Sequence, residues 1–118
     1  MSKPKNCIPV ADAKVLQANW NNNQAKDIKS STGSIDSCSV TFSIDEIQEF
    51  IDYVKVESKK QGFNNPGIRV YFAANNTVEP NKATVFLNAT ESDDSTSANN
   101  YGIDALDRHQ GDWPPHAY

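Results

Sequence analysis

The stretch from Cys38 to Leu87 constrains the fold more than any other part of the chain, because it alternates strand and helix signals across short joins. Cys38-Ser39-Val40-Thr41-Phe42 switches between apolar and polar with period two, which predicts a strand with Cys38, Val40 and Phe42 facing inward. Ser43-Ile44-Asp45-Glu46 follows as a capping box, in which the Ser43 hydroxyl accepts from the Glu46 amide and the Glu46 carboxylate reaches back. Beyond it Ile44, Ile47, Ile51, Val54 and Ser58 recur at helical spacing with Phe50 beside them. Asp45, Glu46 and Glu49 near the start of this helix and Lys55, Lys59 and Lys60 near its end complement the macrodipole. Gly62 suits a left-handed stop, and Pro66 forbids continuation.

Gly67-Ile68-Arg69-Val70-Tyr71-Phe72-Ala73-Ala74 is rich in β-branched and aromatic residues and too short for a helix between its flanking breakers. With a turn over Asn75 to Asn81 and a returning strand over Ala83 to Ala89, it reads as a hairpin. The Val40 and Val70 strands are then expected to run parallel through a right-handed crossover. The expected fold class is α+β: two helices packed on one face of a small mixed β-sheet, a β-α-β-β core after an N-terminal helix. That first helix is read over Ile8 to Trp20, and the polar run from Asn21 to Asp36 as a loop. The expected core is Val15, Val40, Phe42, Ile47, Ile51, Val54, Ile68, Val70, Phe72, Val85 and Leu87.

A chain of 118 residues, 37% of them hydrophobic, has room for one core. Residues 1–90 are read as a single α+β domain, and 91–118 as an acidic loop and extended segment packed on it. From Glu91 to Asn100 almost nothing can be buried, which predicts a surface loop or disorder. Ile103 to Asp107 reads as one helical turn, and Trp113 and Tyr118 are expected to be pinned on the domain.

The net charge of −4 is uneven: six acids (Glu91, Asp93, Asp94, Asp104, Asp107, Asp112) stand against Arg108 in the last segment, whereas nine acids face ten bases before it. Such a balance argues against nucleic acid as a partner, since that affinity comes from clustered Lys and Arg on phosphates. No window approaches the roughly 18 apolar residues of a membrane span, and the Met1 start leads into no secretory apolar core, so a cytoplasmic location is expected. Cys7 and Cys38 lack the C-x-x-C spacing of a redox or zinc site and read as reduced thiols. The Asn-x-Thr sequons at Asn75 and Asn88 mean nothing for glycosylation without secretion.

Alternation along the Gly67 strand places Arg69 and Tyr71 opposite Ile68, Val70 and Phe72, and puts Ser39 and Thr41 on that same second face. A guanidinium, a phenol and two hydroxyls together would cradle a carboxylate or phosphate, because Arg binds such groups bidentately. The competing reading is that Arg69 and Tyr71 cover an exposed sheet face or pair with an acid of the tail. His109, His116, Asp107 and Asp112, with Asp104 nearby, supply imidazoles and carboxylates for a divalent metal, although no H-E-x-x-H or H-x-H spacing supports a preformed site. Asp93, Ser95, Ser97, Asn99, Tyr101 and Asp104 fall at calcium-loop spacing, but Ala98 replaces the turn glycine and Asp104 the bidentate Glu. No nucleophile elbow or Gly-rich phosphate loop is present, and no cofactor is expected other than that metal.

Ala11 to Trp20, the Ser43-led helix to Val54, the Gly-Ile-Arg-Val-Tyr-Phe strand, Thr84 to Thr90 and the Pro114-Pro115 ending together resemble a group of small uncharacterised bacterial proteins. The resemblance implies a cytosolic bacterial protein and transfers no catalytic residue. The expected function is a non-enzymatic binding or protein-interaction module for a protein partner or small anion, with an acidic inhibitor or immunity-type protein as a special form. The alternative is a metal-binding protein or metal-dependent enzyme using the C-terminal Asp/His cluster.

Overall fold

The computed structural model describes residues 2–74, 82–108 and 111–118. The turn over Asn75 to Asn81, the Asn75 sequon and His109 lie outside the described residues. Among these residues three helices, α1 (Val10–Asn22), α2 (Gln24–Thr32) and α3 (Ile44–Lys60), precede three strands, β1 (Gly67–Ala74), β2 (Ala83–Thr90) and β3 (Leu106–Asp107). The class is α+β.

α3 begins and ends where its sequence signals lie. The Ser43 hydroxyl accepts from the Glu46 amide at 3.0 Å, and the Ser43 amide donates back to Glu46 Oε1 at 3.5 Å. At the other end Gly62 takes φ +86°, and the Phe63 amide donates to the Ser58 carbonyl at 2.9 Å. A left-handed residue closes this turn at low cost only when it has no Cβ.

The sheet is antiparallel throughout, in the order β1-β2-β3, rather than mixed. β1 and β2 pair over their full lengths without a bulge, Val70 opposite Leu87 and Ile68 opposite Ala89. The Cys38 to Phe42 segment forms no ladder with any described residue, so the expected parallel pairing with β1 is not made. It is held instead by side chains and the C-terminal segment: Ser37 Oγ donates to the Ala83 carbonyl at 2.5 Å, the Ala83 amide donates to Asp36 Oδ1 at 2.7 Å, and the Asp112 amide donates to the Ser39 carbonyl at 2.8 Å. Gly111 is wedged at this crossing, its amide on the Ala83 carbonyl at 3.0 Å. A Cβ there would collide with the Ser37 side chain and that carbonyl.

Two further expectations change and one holds. The polar run after Asn21 contains α2, which packs on α1 with Ala25 and Ile28 half-buried and stops at Gly33 with φ +79°. Ile103 to Asp107 is no helical turn; Ile103 enters the core and Leu106–Asp107 pairs with Phe86 and Leu87. Residues 91–100 form a surface loop, as expected, held by a bridge between Thr90 and Asn99 and by the Glu91 amide on the Ala98 carbonyl at 3.0 Å.

The core consists of Phe50, Val54, Leu87, Ala89 and Ile103, with Phe42, Ile47 and Leu106 packed against it. α3 therefore lies over β2, β3 and Ile103, and leaves β1 beside it uncovered. The expected core residues Ile68, Val70 and Phe72 do share the helix-facing side of the sheet, because their partners Ala89, Leu87 and Val85 stand on it. They are nevertheless 42%, 55% and 90% exposed. Val15 is exposed too, since α1 buries no residue at all.

Candidate functional site

The two faces of the hairpin are finished differently. On the face carrying Arg69 and Tyr71, the loop after β2 folds back over the strands. Arg69 Nη1 donates to Asn99 Oδ1 at 2.7 Å, and Nη2 donates to the carbonyls of Ser95 and Ser97, both at 3.0 Å. Asn88 Nδ2 donates to the same Asn99 oxygen at 2.8 Å, while Asn99 Nδ2 donates to Tyr71 Oη at 2.7 Å. Tyr71 stacks on Phe86 with ring centroids 5.2 Å apart. The Asn99 hydrogen bond holds the Tyr71 phenol below its ordinary pKa; partial desolvation opposes it, and the Arg69 guanidinium adds to it.

Ser39 and Thr41 do not join that group. Both hydroxyls donate to Asp112 Oδ2, at 3.2 Å and 2.6 Å. Asp112 is thereby held below the usual carboxylate range, chiefly by Thr41. The expected four-residue cradle is thus two separate clusters, each occupied by its own chain: Arg69 and Tyr71 on Asn99, Ser39 and Thr41 on Asp112. The missed residues are Asn88 and Asn99. Asn88 carried a signal, since Asn is disfavoured in strand interiors unless its amide is used.

Of the metal candidates, Asp112 receives two hydroxyls, Asp107 lies in β3, and His116 is exposed with its carbonyl accepting from Cys38 Sγ at 3.4 Å. Among the described residues no three His, Cys, Asp or Glu side chains gather in a metal-binding arrangement. Trp113 is half exposed, with Lys82 Nζ 4.0 Å from its ring centroid, while Lys82 also donates to the Ile35 carbonyl at 2.7 Å. Tyr118 stays exposed.

On the opposite face the apolar side chains of β1 form the floor of an open trough. At one end a cleft of about 170 Å³ lies between Trp20, Cys38, Val40, Phe72 and Val85. At the other, a cleft of about 510 Å³ is walled by Ile51, Val54 and Phe63 over Ile68, with Lys55 and Lys59 among its lining residues. Val70 lies between Ile68 and Phe72 on the same face. From Ile68 to Phe72, four steps of about 3.3 Å, this floor is roughly 13 Å long. The floor itself is apolar, while Asn64, Asn65 and Asp93 join the two lysines around the larger cleft.

Among the described residues no helix is long and apolar enough to cross a membrane. No protein-family model matches the chain, and neither the curated proteins nor the solved structures contain a match.

Proposed function

We propose that this chain is a non-enzymatic interaction module whose partner docks on the apolar side of β1. The observation that carries the reading is the uncovered row Ile68, Val70 and Phe72, apolar side chains in series on one strand. An apolar patch of this kind, left open beside a packed helix, marks an interaction surface. The groups that would have bound a small anion are spent within the chain, Arg69 on three loop oxygens and the Ser39 and Thr41 hydroxyls on Asp112. A cytoplasmic setting belongs to the same proposal and is supported by two unpaired cysteines, Cys7 and Cys38, as expected of a reducing compartment.

The test is photo-crosslinking in cells expressing the full chain, with p-benzoylphenylalanine replacing Phe72 in one variant and Ile44 in a control. Ile44 is also exposed and apolar but stands alone at the start of α3. Discrete covalent adducts from position 72 and not from position 44 support the reading. Equal, diffuse labelling from both positions overturns it.

A further inference from the structure

The geometry points to a second copy of this chain as the partner, paired antiparallel through the free edge of β1 about a twofold axis at Val70; this rests on the interaction-module reading above. Three observations on the molecule carry it. The first is the edge itself. β1 stands at the end of the β1-β2-β3 order, and among the described residues no strand or backbone hydrogen bond occupies its outer side. Proteins that keep an edge strand solitary place Lys, Pro or a bulge on it. β1 has none of these in eight residues, and its one charge, Arg69, is folded away under the loop.

The second observation is self-complementarity. With the axis at Val70, antiparallel pairing sets Val70 against its own copy and Ile68 against the Phe72 of the partner chain, so apolar meets apolar on the trough side. On the other face Arg69 and Tyr71 are already held by the chain's own loop and Phe86, so the pairing sets no unpartnered charge against a like one. A strand whose pattern Ile-Arg-Val-Tyr-Phe maps onto itself in this way meets the demand of an isologous interface.

The third is the exposed area. A monomer of 13.0 kDa is expected to expose about 6,300 Å². This chain exposes 8621 Å², roughly 2,300 Å² more, against the roughly 800 Å² that each partner contributes to a standard stable interface, the remainder of the excess falling to elements such as α1 and α2, which bury no residue. Its radius of gyration of 16.5 Å likewise exceeds the roughly 13.5 Å of a compact chain of this length.

The experiment uses the full-length chain. Light scattering on a size-exclusion column should give a mass near twice 13.0 kDa for the native chain and near 13.0 kDa for Val70→Lys, which places two like charges on the axis. Val70 is already more than half exposed, so this variant should retain the native circular dichroism and urea midpoint. In a Cys7→Ser, Cys38→Ser background, Val70→Cys should oxidise to a covalent dimer, because Cα atoms facing each other across an antiparallel pair stand about 4.5–5.5 Å apart, within disulfide reach. A native chain that stays monomeric across the dilution series overturns the inference, as does a dimer that survives Val70→Lys or a Val70→Cys variant that forms no covalent dimer on oxidation. A monomer whose position-72 probe still labels one other protein overturns the second copy while leaving the interaction module standing.

Discussion

Replacing Asn99 by alanine removes the tie that closes one face of the sheet. Its Oδ1 receives Arg69 at 2.7 Å and Asn88 at 2.8 Å, and its Nδ2 donates to Tyr71 at 2.7 Å. A neutral hydrogen bond contributes about 1 kcal/mol net and one with a charged partner about 1.5–3 kcal/mol. The full loss is smaller than the sum, because Arg69 keeps the Ser95 and Ser97 carbonyls and Asn88 keeps that of Ala89. The expected destabilisation is therefore about 2–3 kcal/mol, read as a fall of roughly 1–2 M in the urea midpoint at unchanged slope. Asn99→Asp retains both acceptor contacts beside the guanidinium and should cost less than about 1 kcal/mol. Tyrosinate absorbance gives a second readout, assigned with Tyr71→Phe: the phenol lowered mainly by Asn99 should titrate higher in Asn99→Ala. A loss under about 0.5 kcal/mol together with an unmoved phenol would refute the hub, since three short bonds cannot vanish without moving either quantity.

Gly111→Ala should unseat the C-terminal segment, because its Cβ meets the Ser37 side chain and the Ala83 carbonyl; we expect about 1–3 kcal/mol of overpacking and faster proteolysis after Arg108. The Asp112 carboxyl titrates below its unfolded value, so its contribution is present above the unfolded pKa of about 3.9 and is lost as pH falls through the folded one. Tryptophan fluorescence across that acid range should report release of Trp113, and Asp112→Asn should flatten the profile. Ser58 is fully buried and its hydroxyl has no partner among the described residues, so Ser58→Ala is expected to be neutral or to stabilise by up to about 1 kcal/mol in urea unfolding.

Local signals were legible wherever a single residue type does a single local job. The Ser43 and Glu46 box starts α3, Gly62 stops it, and alternation assigns Ile68, Val70 and Phe72 to the side of the sheet that α3 occupies. Coverage was not legible, because it depends on where α3 lies across the sheet. Two positions of the same apolar stripe give opposite burial to the same strand, and the helix settles over Leu87 and Ala89. α2 escaped because Ala25 and Ile28 are its only apolar residues and its packing partner is another exposed helix. The Cys38 segment has the pattern of a strand, but the Gly111 amide takes the Ala83 carbonyl of β2 and the Asp112 amide takes the Ser39 carbonyl, so the C-terminal segment stands where a ladder partner was expected. In the candidate site, the residue types around Arg69 were recognisable while their engagement was not. Asn99 reaches Arg69 across 30 positions of sequence, a contact no local rule encodes.

The loop spacing that imitates a calcium site has a physical meaning after all. Oxygens from Ser95, Ser97 and Asn99 do converge on a positive charge, and that charge is the guanidinium of Arg69. A ligand carried on the same chain is present at an effective concentration of about the millimolar range or above, which dilution cannot lower. The shape of residues 95–99 is therefore held by the chain's own cation. Segments that sense calcium must surrender their order when the ion leaves; this one carries its counter-charge with it.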